Sequence, residues 1–467
     1  MPRLPWTKFQ DFYLRLGFLK VLVAALSPQR RSAMNDAIVR RLAIPLFDSA
    51  TQHRELWARV GDQMFWHRDD GRALVEKTQK RPTVAEALLV DGDCPSLLFA
   101  MTGPTAYKII DWARNVEFLG RANQITERGL LLRHLLPEVA MDNFLRGNVD
   151  AWNPFTLSIS ERAFFLFHLI EIDEVMLELI GDLAPMTGDT LESHDAAKVT
   201  CSALIRVLTR AKSTVQPRDI LAFRTACELT GTIAEELDMA GQVTDLVGGL
   251  RRRAPKVRPT AKRGLTGGGT PRALRRTTKN SDHQTIPRFE QLVDLGFLKK
   301  PDGPSAGREE TLAGRRRWRY IPTAACRRWS TARAPMDREK PFRWHYFAAT
   351  YLVTFTGQTS QAPVEATTVA RYLWKAYERI KRPAGLNPLD SVALFGMLEA
   401  LTDGIAIEMA DFHRLMLKIK LLGALPEHAF FASGNELDQM FIQLKPGFIE
   451  QVEKNERTLS TTENAGA

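Results

Sequence analysis

Three groups of residues have the types that catalysis or metal binding uses, but none has the spacing that the chemistry requires. Residues 67–72 (HRDDGR) combine a histidine with two aspartates, yet such a charged run is more typical of a solvated loop than of a metal site. Asp390 and Glu408 could hold the metal of a nuclease, but Ala410 stands where the neighbouring strand needs a lysine. Residues 264–269 are rich in glycine but lack the Lys-Ser or Lys-Thr that follows in a phosphate-binding loop. The sequence therefore predicts a protein that is not an enzyme and that uses no metal or cofactor.

Positive charge is the strongest chemical signal, and it is concentrated in one region. The 467 residues include 64 Lys and Arg against 54 Asp and Glu, which gives a net charge of +10. Residues 251–340 alone hold 24 basic and 8 acidic residues, a net charge of +16, so the rest of the chain carries −6. Local basic charge of this density is typical of contact with nucleic acid or anionic lipid. We therefore expect DNA to bind in this region and protein partners to use the remaining surface.

The candidate DNA-binding residues lie in a basic linker and in the helix and hairpin that follow it. The stretch Arg251–Lys279 contains eleven Lys or Arg and no acidic residue. Its prolines and glycines disfavour both helix and strand, so we predict a linker that wraps along the duplex or enters its minor groove. The complete candidate set is Arg251, Arg252, Arg253, Lys256, Arg258, Lys262, Arg263, Arg272, Arg275, Arg276, Lys279, Arg288, Gln291, Lys299, Lys300, Arg315, Arg316, Arg317 and Arg319.

A short helix after the linker is the candidate recognition helix. The spacing of apolar residues predicts a helix over Ile286–Leu295 that turns its apolar face inward. Its outward face would then carry Arg288, Glu290, Gln291 and Asp294. Arg288 and Gln291 could make bidentate contacts with guanine and adenine, whereas the two acids would face phosphates. We therefore expect the hairpin and the linker to dominate DNA binding.

A two-stranded hairpin is predicted to follow this helix. Gly296 ends the helix in the left-handed conformation, and Phe297–Lys299 is extended. After a Pro-Asp-Gly turn and a polar loop, the segment Arg315–Ile321 alternates with a period of two residues. The alternation places Trp318 and Tyr320 on the hidden face and the arginines on the exposed face. Stacking of the two aromatic rings on unpaired bases is the alternative.

This order of elements resembles the winged helix-turn-helix superfamily, in which a recognition helix leads through a Leu-Gly turn into a two-stranded wing. The resemblance covers Thr285–Thr323, where LVDLGFLKK is followed by RWRYIPT. A second copy is suggested in Thr105–Leu136, where a helix, Leu119-Gly120 and a short strand at residues 124–126 precede a helix capped by Thr126. The resemblance implies DNA binding for the unit beside the basic linker. Packing or dimerisation is the alternative role, above all for the other copies.

A third copy is suggested in Leu389–Phe448. Here the sequence predicts a helix over Leu394–Leu401 and a short strand over Ile405–Ile407. A second helix follows, and a hairpin should pair Ala429–Ala432 with Met440–Leu444. The chain would then carry winged-helix units near both ends and beside its basic region.

The remaining sequence is mainly helical in pattern. Apolar residues recur with helical period from Ser160, the predicted N-cap, to Leu183. The predicted fold class is mainly α, a multi-domain helical protein with two or three winged-helix units that carry short β-hairpins. The predicted domains are an N-terminal helical or winged-helix-like domain (1–140), a central helical domain (141–250), the basic linker (251–284), a basic winged-helix domain (285–345), a C-terminal winged-helix-like domain (346–450) and a flexible tail (451–467).

Cysteine usage and hydropathy indicate a cytoplasmic protein. The four cysteines are far apart and form no Cys-x-x-Cys pair, so they predict buried thiols in a reducing compartment rather than a zinc site or disulfides. The most apolar early stretch, Gly17–Leu26, is about half of a bilayer span and is interrupted by Lys20. The sequence therefore predicts no membrane partner.

Together these features predict a prokaryotic, non-catalytic protein that holds duplex DNA through a winged helix and a basic arm, as the recognition or scaffold component of a multi-protein system such as phage or plasmid defence. Two alternatives assign it a protein-binding role. The layout, with winged helices near both ends of a helical middle, is similar to that of kleisin subunits, which bridge ATPases. An adaptor that recruits a helicase or nuclease is the other alternative.

Overall fold

The computed structural model describes residues 15–26, 89–90, 94–95, 110, 112–120, 123–145, 151–211, 285–301, 319–333, 346–357, 364–383, 385–421, 429–432 and 440–454. Within these ranges the chain is mainly helical with a few short strands, as the sequence predicted. None of the described helices combines the length and the apolar character that a membrane span requires.

The helices and strands have the following bounds. The helices are α1 (Gly17–Leu26), α2 (Glu127–Leu135), α3 (Glu138–Leu145), α4 (Ile159–Ile172), α5 (Glu174–Leu183), α6 (Ser193–Ala211), α7 (285–294), α8 (Ala324–Arg333), α9 (Phe347–Thr356), α10 (Ala366–Ile380), α11 (Leu389–Thr402), α12 (Met409–Leu421) and α13 (448–454). The strands are β1 (Leu89–Val90), β2 (Cys94–Pro95), β3 (Leu191–Glu192), β4 (Leu298–Lys299), β5 (Arg319–Pro322), β6 (Asn387–Pro388), β7 (Ala429–Ala432) and β8 (Phe441–Leu444).

A three-stranded antiparallel sheet joins segments that are far apart in the sequence. Its strand order is β3-β5-β4, with Leu191 opposite Tyr320 and Leu298 opposite Pro322. We call α5, β3, α6, α7, β4 and β5 the middle unit. Strand β3 of the predicted central helical domain therefore completes a sheet whose other two strands belong to the predicted basic winged-helix domain. The predicted linker (251–284) lies between α6 and α7 in the sequence, and its residues are outside the described ranges.

A second sheet near the C-terminus repeats this arrangement. Its strand order is β6-β8-β7, and the predicted hairpin is confirmed with Ala429 opposite Leu444. The first strand is Asn387–Pro388, paired with β8, and not the predicted Ile405–Ile407, which is irregular. We call α10, β6, α11, α12, β7 and β8 the C-terminal unit. In the described residues of both units, a helix and a short strand precede two helices and a hairpin, and the first strand pairs with the last.

One hydrophobic cluster extends from Leu16 to Val452 and includes residues of both units. Helix α11 is buried on nearly all sides, as expected for a helix that is apolar around its circumference. The aromatic rings of Phe297, Trp329 and Phe355 meet between the middle unit and helices α8 and α9, with centroids 5.7 Å and 5.3 Å from that of Phe297. Because residues 448–454 are helical and Val452 is buried, the predicted tail does not begin at residue 451.

The long apolar stripe predicted from Ser160 to Leu183 is two helices. The N-cap of α4 is Ser158, whose hydroxyl accepts from the backbone of Glu161, while the Glu161 carboxylate accepts from the backbone of Ser158. Asp173 breaks the stripe and caps α5 by accepting from the Val175 N–H at 3.1 Å. The stripe stays continuous across the break because both helices pack on the same core.

The segment suggested as a second winged-helix copy contains the predicted capped helix. The Thr126 hydroxyl accepts from the Gly129 N–H at 3.2 Å and caps α2. The predicted strand at residues 124–126 is a single bridge between Leu119 and Ile125. The C-terminal unit contacts this region through Arg382, which pairs with Glu127.

Gly296 has the left-handed backbone that the sequence predicted, with φ of +85°. A Cβ there would meet no atom closer than 3.5 Å, so replacement by alanine is opposed by the backbone conformation and not by crowding. We expect Gly296→Ala to lower the free energy of unfolding by about 1–2 kcal/mol. Gly181→Ala, inside α5 with no atom within 4 Å of its Cβ position, should raise it by about 0.5–1 kcal/mol. Urea denaturation of the two variants measures both changes, and equal midpoints would contradict this explanation.

Candidate nucleic-acid interface

The structure describes five members of the predicted DNA-binding set: Arg288, Gln291, Lys299, Lys300 and Arg319. The other members lie outside the described residues: Arg251, Arg252, Arg253, Lys256, Arg258, Lys262, Arg263, Arg272, Arg275, Arg276, Lys279, Arg315, Arg316 and Arg317. The described members belong to α7, β4 and β5 and to the residue after β4. Some of these five side chains are buried inside the protein, and the others reach its surface.

Arg288 is an internal side chain and not part of an outward helix face. Its guanidinium donates to Asp173 Oδ2 from Nε at 3.0 Å and from Nη2 at 2.8 Å, and both side chains have an exposed fraction of 0%. Burial lowers the pKa of Arg288, and the Asp173 carboxylate opposes that shift. The prediction that Arg288 faces outward is therefore wrong, because the carboxylate that pairs with it lies inside the core.

The other predicted outward residues of α7 are also internal. The side chain of Gln291 is buried, so the prediction that Gln291 faces outward is wrong as well. Glu290 accepts from the Tyr320 hydroxyl at 2.8 Å and pairs with Lys300 Nζ at 2.9 Å. Asp294 pairs with Arg15 and accepts from the Leu16 N–H at 2.8 Å. Burial raises the pKa of Asp294, although Arg15 opposes this shift. Helix α7 is thus surrounded by internal partners on several sides.

The hairpin follows the predicted alternation where it is described. Tyr320 is buried and its ring lies 5.0 Å from that of Phe289, as predicted for the hidden face. Arg319 lies on the other face with 25% of its side chain exposed, 3.6 Å from Glu192 on the neighbouring strand. Lys299 is exposed on β4 opposite Ile321. Among the described candidates, Lys299 and Arg319 are the two that reach the outer face of this sheet.

The second helix before the hairpin of the C-terminal unit, α12, has an exposed basic face outside the candidate set predicted from the sequence. Arg414 is 75% exposed and pairs with Asp411 one turn earlier. Lys418 is also exposed and follows at the i+4 position, so both cations share one helix face. Leu417 between them and Phe441 on β8 are exposed by 39% and 38%. The i, i+4 spacing of Arg414 and Lys418 is the feature of the sequence that could have identified this basic face.

Helix α8 carries a second basic surface outside the predicted set. Its sequence, AACRRWSTAR, contains three arginines and no acid, and Arg327 and Arg328 are exposed. The inner face consists of Ala325, Cys326 and Trp329, which are buried. The absence of acidic residues from the sequence of α8 is the feature that could have identified this basic surface.

The carboxylates considered for a nuclease have structural partners. Glu408 accepts from the Ala348 and Ala349 N–H groups at 3.0 Å and 2.9 Å, and so caps α9. Asp390 lies 2.9 Å from His413 Nε2. Within the described residues no cluster of three or more His, Cys, Asp or Glu side chains could hold a metal ion. Residues 67–72 and 264–269 lie outside the described ranges.

Two cysteines are described with their side chains, and both are buried free thiols as predicted. Burial raises the pKa of Cys201 and of Cys326 to about 12, so neither is a thiolate at neutral pH. The described residues thus present basic surfaces on β4, β5, α8 and α12, while the buried cations Arg15, Lys20 and Arg288 are paired with carboxylates. The chain matches no protein family, curated protein or solved structure with which it was compared.

Proposed function

We propose that this chain is a non-catalytic DNA-binding protein built on two winged-helix units, and that it holds duplex DNA as a recognition or scaffold component of a prokaryotic multi-protein system. The observation that carries the proposal is the common topology of the middle and C-terminal units. Among its described residues, each unit has a helix, a short strand, two helices and a hairpin, with the first strand paired to the last. This is the order of elements expected of a winged helix.

Charge supports DNA as the partner. Residues 251–322, from the start of the predicted linker to the end of β5, hold 19 basic and 6 acidic residues, and the internal ion pairs of α7 use only a few of these cations. Because α7 is buried, the hairpin and the basic linker are the segments through which the middle unit would contact DNA. This agrees with the expectation that these two segments dominate DNA binding. In the C-terminal unit, Arg414 and Lys418 lie on the exposed face of the corresponding helix, α12. The two units would therefore hold DNA through different elements.

Replacing Arg315, Arg316, Arg317 and Arg319 with alanine should weaken duplex binding and flatten its salt dependence. Each phosphate that the variant no longer neutralises should reduce the slope of log K against log salt by about 0.9, because fewer counterions are released. Fluorescence anisotropy with a labelled 30-base-pair duplex, between about 50 and 300 mM salt, measures the slope. The control Arg371→Ala/Lys381→Ala removes two exposed charges, one on α10 and one directly after it, and should leave the slope unchanged.

Three results would contradict the proposal or redirect it. Failure of the full chain to bind duplex DNA at low salt would contradict it. An unchanged slope of log K against log salt in the four-arginine variant would mean that the hairpin does not contact DNA. Binding to anionic vesicles without binding to DNA would point to a membrane-surface role. The same titration of Arg414→Ala/Lys418→Ala shows whether α12 contributes.

The second candidate is a structural subunit that bridges an ATPase, as kleisins do, or an adaptor for a helicase or nuclease. The burial of α7 favours this second candidate. Helix α7 is the third described helix of the middle unit, and because it packs inside the core it cannot enter a groove of the duplex. The partly exposed Leu417 and Phe441 of the C-terminal unit also suit a protein contact. This candidate is preferred if DNA binding requires a co-purifying ATPase or nuclease.

A further inference from the structure

Helix α8 is fixed to the base of the hairpin of the middle unit by hydrogen bonds. The Thr323 hydroxyl donates to the carbonyl oxygens of Gly296 at 2.9 Å and Phe297 at 3.1 Å. The same hydroxyl accepts from the Ala325 N–H at 3.3 Å and so caps the helix. The Cys326 thiol donates to the Phe297 carbonyl at 3.2 Å. The orientation of α8 relative to β4 and β5 is therefore set by its first turn.

The inner face of α8 leaves two arginines on its outer face. Trp329 is buried and packs edge-on against Phe297 and near Phe347, with centroid distances of 5.7 Å and 6.3 Å. Because Trp329 is anchored inward, the preceding residues Arg327 and Arg328 are held on the exposed side. Their Cα positions are thus fixed by the core, and only the side chains are free to move.

The charges of Arg327 and Arg328 are not neutralised within the described part of the chain. Neither side chain makes a hydrogen bond or ion pair with a described residue, in contrast to Lys300 and Arg319, which have acidic neighbours. Helix α8 contains no acidic residue, and neither does α9, which packs beside it. Lys299 adds a third exposed cation at the foot of the same hairpin.

We propose that α8 binds the phosphate backbone of the duplex beside the hairpin, through Arg327 and Arg328 together with Lys299. Guanidinium groups bind phosphate oxygens in a bidentate manner, and the helix fixes the backbone of the two adjacent arginines before binding. The inference rests on the proposed DNA-binding function and names a contact outside the candidate set that the sequence predicted.

Arg327→Ala/Arg328→Ala in the full chain tests the contact. In the anisotropy titration with the labelled 30-base-pair duplex, the salt slope should fall by about 2, and affinity near 150 mM salt should fall about 10- to 100-fold. Arg327→Lys/Arg328→Lys keeps both charges and should retain the slope with a smaller loss of affinity. Arg371→Ala/Lys381→Ala is the control for removal of two exposed charges.

The outcomes separate this inference from the proposed function. If the wild-type chain binds DNA and the double alanine variant keeps its slope and affinity, the α8 contact is wrong and the proposed function stands. If the wild-type chain does not bind DNA, both are wrong. Arg328 Nη1 also lies near Gly357 at the end of α9, so thermal unfolding is measured in parallel. Should the double variant unfold early, Arg327→Ala alone decides the matter, with an expected fall in slope of about 0.9.

Discussion

Arg288→Ala is expected to lower the free energy of unfolding by about 3–5 kcal/mol. The substitution leaves Asp173 without its cation at a site where both side chains are fully buried. An unpaired carboxylate inside the core retains its desolvation cost and loses the charge that offset it. Urea denaturation followed by circular dichroism measures the change. A DNA-contact residue on the surface would give almost no change in stability.

A double substitution shows whether the loss of stability arises from the unpaired charge. Arg288→Met/Asp173→Asn removes both charges and keeps a long side chain at residue 288. The amide oxygen of the introduced asparagine can still accept from the Val175 N–H, so the cap of α5 is retained. We expect this variant to be more stable than Arg288→Ala, because no lone charge is left in the core. Equal stability of the two variants would mean that packing, and not charge, explains the loss.

Glu408→Gln is expected to change how stability depends on pH. Burial raises the pKa of Glu408 from 4.5 to about 7, and the Ala348 and Ala349 N–H groups oppose this shift. Between pH 4.5 and 7 the folded chain keeps a proton on Glu408 that the unfolded chain has released. The contribution of this group is therefore fully present at acidic pH and is lost as pH rises to about 7. The total change is about 3 kcal/mol.

The measurement is a series of urea denaturations from pH 4.5 to 8. Glutamine stays neutral, so the difference in stability between Glu408→Gln and the wild-type chain should rise by about 3 kcal/mol in favour of the variant across this range. Asp411 is the charged neighbour that raises the pKa further, so Asp411→Asn should shift the upper end of the window to lower pH. Parallel pH profiles for the wild-type chain and Glu408→Gln would contradict the assignment.

Local signals in the sequence predicted a good part of both hairpin regions. The turn at Gly296 needs a left-handed residue, and glycine provides it at no steric cost. The alternation around Tyr320 placed this ring inward, and the predicted pairing of Ala429–Ala432 with Met440–Leu444 identified the C-terminal hairpin. These features depend on residues close together in the chain, so they are readable without the tertiary structure.

Other features could not be read from local pattern. Strand β6 is Asn387–Pro388, two residues of low strand propensity, and it is a strand because β8 lies beside it. Strand β3 is equally short and pairs with β5 across the whole predicted linker. Pairings between short strands at such separations leave no periodic signal. The domain boundary at the basic segment was predicted from a change in amino-acid composition. Such a change does not by itself show where a folded unit begins or ends.

The sequence by itself determined the mainly helical class, the glycine turn, the hairpins and the location of the basic charge, because propensity, periodicity and composition are local. Only the tertiary structure decided which charged side chains are exposed at the surface and which are buried. Arg288, Glu290 and Asp294 have the same polar character as exposed residues, and they are internal because Asp173, Tyr320 and Arg15 meet them from distant segments. Arg327 and Arg328 are exposed because Trp329 anchors the opposite face of α8. A charge is buried or exposed according to its partners, and those partners come together only when the chain folds.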